Sequence, residues 1–343
     1  MRGLLITGVD KMEVRQFPDP VPGPGQVVVD IKCTSICGSD LHNLYNPNLP
    51  RDIIMGHEGA GVVSAIGEGV TLVKPGDRVA VYHVVSCGLC KNCMSGYAQF
   101  CTVDRRAIAG IEHGTDADKI LVKEANCLPL PDDISYAVGA FIGCFAGTSY
   151  SAIKKLAASG LDDVAVFGLG PVGLAGVQYA RAMGADVIGI DSIPERLALA
   201  RELGCRAVIN FKEQDVVPSL KGLTNGIGPR LIYESSGSLQ AQKDAIAACA
   251  VMGKICMVGF GGPMSAPTEA GAPPALYGII GKELTLMGSS IMPRQYHYEI
   301  IDFIRKRHID LEKMITHRFP FDQIIKAMRL FATGATGKVV IDM

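Results

Sequence analysis

Val164-Ala165-Val166-Phe167-Gly168-Leu169-Gly170-Pro171-Val172-Gly173 is a short apolar run that breaks into closely spaced glycines. Residues 164–167 read as a buried strand, and residues 172–183 carry apolar side chains at helical spacing. The glycines therefore sit where a strand turns into a helix. Gly168 permits the sharp turn, Gly170 lets backbone approach a pyrophosphate, and Gly173 lets the helix pack on the strand. Pro171 and Val172 open that helix, whose positive end faces the phosphates. Asp191 closes the next strand 18 positions past Gly173. Its carboxylate can accept from both ribose hydroxyls and repels a 2′-phosphate, so NAD is expected rather than NADP. Arg196 lies nearby and would tolerate a phosphate. The alternative is a glycine turn without a ligand and an ordinary strand-end aspartate.

Outward from this turn, strand and helix alternate. Apolar strands are expected at 186–190, 207–209, 231–233, 255–258 and 284–287, with helices at 151–158 and 195–203. Alternation of this kind implies a parallel sheet covered on both faces. Residues 1 to about 145 read differently, as mostly β, with strand stretches at 26–32, 59–67 and 78–82 divided by turn-rich segments such as Pro18-Asp19-Pro20-Val21-Pro22-Gly23-Pro24-Gly25. The C-terminal part carries helices at 298–307 and 321–331 and a last strand at 338–341.

Composition narrows the function classes. Of 343 residues, 48% are hydrophobic and 20% charged, and the formal net charge is −1. No basic face is evident for nucleic acid or an anionic membrane. No apolar run reaches about 18 residues, the length a spanning helix needs. The N-terminal apolar run is too short for a signal sequence, so a cytoplasmic location is expected. Eleven cysteines, an odd count, in a chain of this length point to metal ligands before disulfides.

Two cysteine clusters carry the chemistry. Cys37-Gly38-Ser39-Asp40-Leu41-His42 and Gly56-His57-Glu58 offer a thiolate, a hydroxyl and two imidazoles within 21 positions. A thiolate and a neutral imidazole suit zinc, and a catalytic zinc takes three protein ligands and keeps one open position. Cys37 and His57 supply two, and Cys144 is the candidate third. Ser39 and His42 are placed to pass a proton away from a group bound there. Cys87, Cys90, Cys93 and Cys101 give C-x2-C-x2-C-x7-C, able to close a tetrahedral shell around a structural ion. Two disulfides, free thiols or an iron–sulfur cluster are the alternatives; the last does not match the common ferredoxin spacings.

Taken together, these motifs resemble the zinc-dependent medium-chain alcohol dehydrogenases, over essentially the whole chain. The resemblance implies an α/β protein with a GroES-like, mostly-β catalytic domain from residues 1–147 and 291–343. A Rossmann domain with a doubly wound parallel sheet would span 148–290, with the active site in the cleft between the two. It implies two zinc ions per chain: a catalytic one on Cys37, His57 and Cys144, with Glu58 as a carboxylate that approaches it in some members, and a structural one on the four-cysteine loop. Ser39 looks like the hydroxyl that binds the substrate alcohol, His42 like the relay towards solvent, and Thr148 like a residue near the nicotinamide. Self-association is implied too, a tetramer favoured over a dimer.

His83 departs from the family pattern, which often places a bulky apolar or aromatic residue there in the substrate site. A histidine suggests a substrate with a second polar group, such as a diol or a hydroxy acid derivative; a histidine held by backbone is the alternative. The expected activity is reversible oxidation of an alcohol to a ketone or aldehyde with NAD, on a small-molecule substrate and with no nucleic-acid or membrane partner. Two rivals stand beside it: a zinc-independent reductase of the same superfamily, and a non-catalytic zinc, redox or structural protein on this fold.

Overall fold

The computed structural model describes residues 1–48, 52–259 and 276–343. Six strands form an all-parallel sheet whose spatial order is Ala207–Asn210, Asp186–Asp191, Asp163–Phe167, Leu231–Glu234, Lys254–Met257, Thr285–Gly288. The chain winds outward one way from Asp163–Phe167, then crosses back and winds out the other way, which is the doubly wound Rossmann arrangement. Burial follows the two-residue period of a strand. Val164 and Val166 enter one core with Leu174, Val177 and Tyr179 of the helix Pro171–Ala182, while Ala165 and Phe167 enter the opposite core with Val216, Leu220 and Ile246. Helices Val216–Leu223 and Leu239–Ala248, which cover that second face, are not evident in the sequence reading.

The second sheet is mostly antiparallel, in the order Ile315–Pro320, Lys338–Asp342, Gln26–Ser35, Gly59–Ile66, Arg78–Val81, Cys127–Pro129, with Lys119–Lys123 also paired to Gln26–Ser35. Val340 lies opposite Ser35, so the last strand of the chain closes onto the first part of it. The N-terminal portion is less purely β than expected. Helices Gly38–Tyr45 and Tyr136–Gly143 interrupt it, and the helix expected at 151 begins at Phe145. Every residue from Ala137 to Gly143 is buried. A helix surrounded by core has no polar face, and so carries no amphipathic period to read. Among the described residues no single helix is long and apolar enough to cross a membrane; the pair Tyr136–Gly143 and Phe145–Leu156, bent by 56°, passes by composition alone and is largely buried in the core.

The glycine turn is as tight as its sequence implies. Gly168 has φ +84°, a conformation that costs glycine nothing and other residues strain. A Cβ on Gly173 would stand 1.8 Å from the Gly168 carbonyl oxygen. Gly173→Ala should therefore push helix and strand apart, lowering stability by roughly 1–3 kcal/mol in urea unfolding and weakening NADH binding in a fluorescence titration. Unchanged values in both would show that close packing of this helix is not what the turn requires.

Candidate active site

Cys37 precedes the first turn of the helix Gly38–Tyr45 in extended conformation, φ −103° and ψ 154°. Its backbone N–H donates to Asp40 Oδ2 at 2.8 Å, and Asp40 N–H donates back to the Cys37 carbonyl at 3.1 Å. This reciprocal capping fixes where the Cys37 side chain leaves the helix. Asp40 is fully buried, and its other oxygen stands 3.1 Å from His57 Nδ1. A carboxylate on Nδ1 orients the ring and leaves Nε2 for a ligand; Ser39 Oγ lies 3.3 Å from that Nε2. Cys144 occupies the break between helices Tyr136–Gly143 and Phe145–Leu156.

These segments converge. One donor atom from each of Cys37, His57, Glu58 and Cys144 lies within 4.8 Å of all the others. Two sulfurs, an imidazole and a carboxylate are a donor set for a borderline divalent ion such as zinc. Glu58 is buried with Oε1 lacking any hydrogen-bond partner, whereas Oε2 accepts from Ser35 Oγ at 2.6 Å and pairs with Lys338 Nζ. Burial pushes the Glu58 carboxyl up to about 7, against the opposing pull of Lys338. A hydrogen bond from Cys144 lowers the Cys37 thiol well below its usual value, and the same bond raises Cys144. The residues present thus fit an ion, which would take the place of the thiol protons.

His83 packs edge-on against His57 with ring centroids 5.3 Å apart, and its Nδ1 lies 3.0 Å from the Gly143 carbonyl oxygen. Burial, with His57 nearby, brings its pKa down to about 4. The ring is therefore neutral with its proton on Nδ1, and Nε2 is a free acceptor. His42 sits on the same helix as Ser39, one turn on and half-buried. Thr148 Oγ1 donates to the Cys144 carbonyl at 2.8 Å.

The four-cysteine loop folds into a second donor cluster. Sulfur–sulfur distances are 3.4 Å for Cys90–Cys93, 3.5 Å for Cys87–Cys101, and 3.9 Å for both Cys87–Cys93 and Cys90–Cys101. All four cysteines are free, and the spacing exceeds a disulfide's by far. A tetrahedron of sulfurs about 2.3 Å from a zinc ion has edges of about 3.8 Å, close to these values. Backbone N–H groups of Cys93 and Thr102 hold the Cys90 thiol down to about 5, favouring the thiolate.

A cleft of ≈740 Å3 opens at the carboxyl ends of the parallel strands, lined by Gly168, Gly170, Asp191, Arg196, Ser235 and Ser236 among others. A Cβ on Gly170 would meet no atom nearer than 3.9 Å, so the backbone there is open to a ligand at the helix N-terminus. Asp191 Oδ2 accepts from Leu169 N–H at 2.7 Å, and Oδ1 from Ser192 N–H at 2.6 Å and Ile193 N–H at 3.1 Å. Arg196 Nη1 stands 3.9 Å from Asp191, and Arg196 Nε donates to the Thr336 carbonyl.

Asp40, Ser35 and Lys338 belong to this arrangement although the sequence reading passed over them. Asp40 carried a signal, an acidic residue three positions after an N-cap. Lys338 opens an apolar strand and carried none.

Comparison with known proteins agrees with the geometry. Residues 23–132 match the alcohol dehydrogenase GroES-like domain and residues 171–306 the zinc-binding dehydrogenase domain. The uncharacterized zinc-type alcohol dehydrogenase-like protein YphC of Escherichia coli K12 is 34% identical over 100% of this chain and 98% of its own. L-threonine 3-dehydrogenase of Rhizobium etli CIAT 652 is 32% identical over 96% and 94%. The solved structure of the alcohol dehydrogenase rspB of Escherichia coli CFT073, complexed with NADH, superposes with a TM-score of 0.88 at 30% identity, covering 100% of this chain and 99% of that one. The chain is therefore an oxidoreductase of the zinc-dependent medium-chain alcohol dehydrogenase family.

Proposed function

We propose that this protein reversibly oxidises a secondary alcohol or diol to the ketone: the carbinol C–H leaves as hydride to NAD+, and the hydroxyl proton leaves to solvent. The observation that carries this reading is the convergence of Cys37, His57 and Cys144 beside Ser39, with Asp40 Oδ1 3.1 Å from His57 Nδ1. Zinc held by those three would supply the Lewis acidity that makes an alcohol proton labile near neutral pH. A second zinc in the four-cysteine cluster would be structural.

The chain's own residues do the remainder. Ser39 Oγ, 3.3 Å from His57 Nε2, is placed to accept the alcohol proton, and His42, one turn along the helix, to pass it to water. Asp191 takes the ribose hydroxyls of NAD while its engagement by three backbone N–H groups keeps it fixed. Thr148, tied to the Cys144 carbonyl, faces the nicotinamide. His83 Nε2 accepts from a second hydroxyl of the substrate, which favours diols. The threonine dehydrogenase relative is consistent with this, since its named substrate carries polar groups beside the reacting hydroxyl.

A panel of primary, secondary and vicinal-diol alcohols read by NADH absorbance tests the activity, and no turnover on any would refute it. Cys37→Ser should cut turnover at least 1,000-fold, on the order of what losing a metal's several kcal/mol implies, with NADH affinity intact; parent-like turnover would remove Cys37 from the site. Asp191→Asn should lower kcat/KM for NAD by about tenfold and leave that for NADP unchanged or raised, whereas parallel losses would refute the ribose assignment. His83→Phe should lower the preference for a diol over the matching mono-alcohol by about tenfold. Because the His83 pKa lies at about 4, the parent's preference should hold from pH 8 to 5 and fade only below. An unchanged preference in His83→Phe would assign the ring to backbone support alone.

A further inference from the structure

We propose that Lys338 is a positioning residue that assembles the three ligand-bearing segments of the metal site. The inference rests on the zinc reading given above. Lys338 has no exposed surface. Its Nζ donates to the Ile36 carbonyl at 2.6 Å, pairs with the Glu58 carboxylate, and lies 4.2 Å from the centroid of the Phe145 ring. Ile36 precedes Cys37, Glu58 follows His57, and Phe145 follows Cys144. A single buried ammonium thus touches the neighbour of each of the three ligands, on three segments distant in sequence.

An ordinary ion pair with Glu58 would not require this. Removing a lysine and a carboxylate from water carries a large desolvation cost, and apolar residues of similar volume often serve a fold as well or better. What an apolar residue would not do is hold a carbonyl, a carboxylate and a ring face around one point. Those three contacts use the donor, the charge and the cation–π attraction of the ammonium. Lys338 is also carried by the strand Lys338–Asp342, hydrogen-bonded to Gln26–Ser35 one residue before Ile36, so the point is anchored to the sheet rather than to a loop. With Ser35, it engages Glu58 Oε2 and leaves Oε1 without a hydrogen-bond partner.

The test is zinc release from the intact holoprotein to a chromophoric chelator, resolved into its two phases. In Lys338→Met the phase from the Cys37, His57 and Cys144 site should be faster by about 10–100-fold, the usual effect of losing a partner that orients a ligand. The phase from the four-cysteine site and the affinity for NADH should match the parent. If the lone buried carboxylate prevents folding, the same comparison is made between Glu58→Gln and Glu58→Gln/Lys338→Met, where the lysine's loss should still speed the first phase. Release at the reference rate from a folded variant, or equal acceleration of both phases, would overturn the assignment. A parent protein that holds only the four-cysteine zinc would overturn the metal reading and this inference with it, a failure visible in the parent's metal content before any variant is made.

Discussion

Two cysteine sulfurs and a carboxylate drawn together beside an imidazole in a buried space repel one another once ionised, because few water molecules are left to screen them. The structure around Cys37, His57, Glu58 and Cys144 is a set of answers to that problem. The Cys37 thiol is lowered while that of Cys144 is raised, Lys338 pairs with Glu58, and Asp40 stands 3.1 Å from the far side of His57. Each answer leaves the inner faces of the donors turned toward a common point. A divalent ion at that point removes the remaining repulsion, which is why the same residues are both unstable as bare neighbours and apt as ligands.

The two sheets serve this point in different ways. The mixed sheet delivers donor groups from separate stretches: the end of Gln26–Ser35 leads into Cys37, the start of Gly59–Ile66 follows His57 and Glu58, and Lys338–Asp342 brings Lys338 to Glu58. The parallel sheet supplies the proposed cofactor cleft. Its strands end in a cleft at the point where strand order reverses, with a helix N-terminus and Asp191 at the rim. Cys144 sits just before the helix Phe145–Leu156, which packs against the parallel sheet's core through Tyr150 and Ile153. One of the proposed metal ligands is thus tied to the parallel-sheet half of the molecule.

Much of this was legible in the amino-acid sequence because it is local. The Cys37–His42 run, the four-cysteine spacing and the glycine turn are each contained within a few turns of chain, and each has few physical readings. The strands of the parallel sheet were legible for the same reason, as short runs buried on both faces. Other features were not. The helix Tyr136–Gly143 has apolar neighbours on every side and shows no period. Ser35 and Lys338 matter only because a strand from the end of the chain lies beside one from its beginning, a pairing separated by some 300 residues. A lysine in an apolar strand reads as an edge residue until the partner is known.

Zinc-edge anomalous diffraction from crystals grown with NADH addresses the central claim most directly. The account predicts two anomalous peaks per chain, one bounded by Cys37 Sγ, His57 Nε2 and Cys144 Sγ and one inside the four-cysteine loop. A single peak in the loop, with Cys144 Sγ turned away from Cys37, would contradict it.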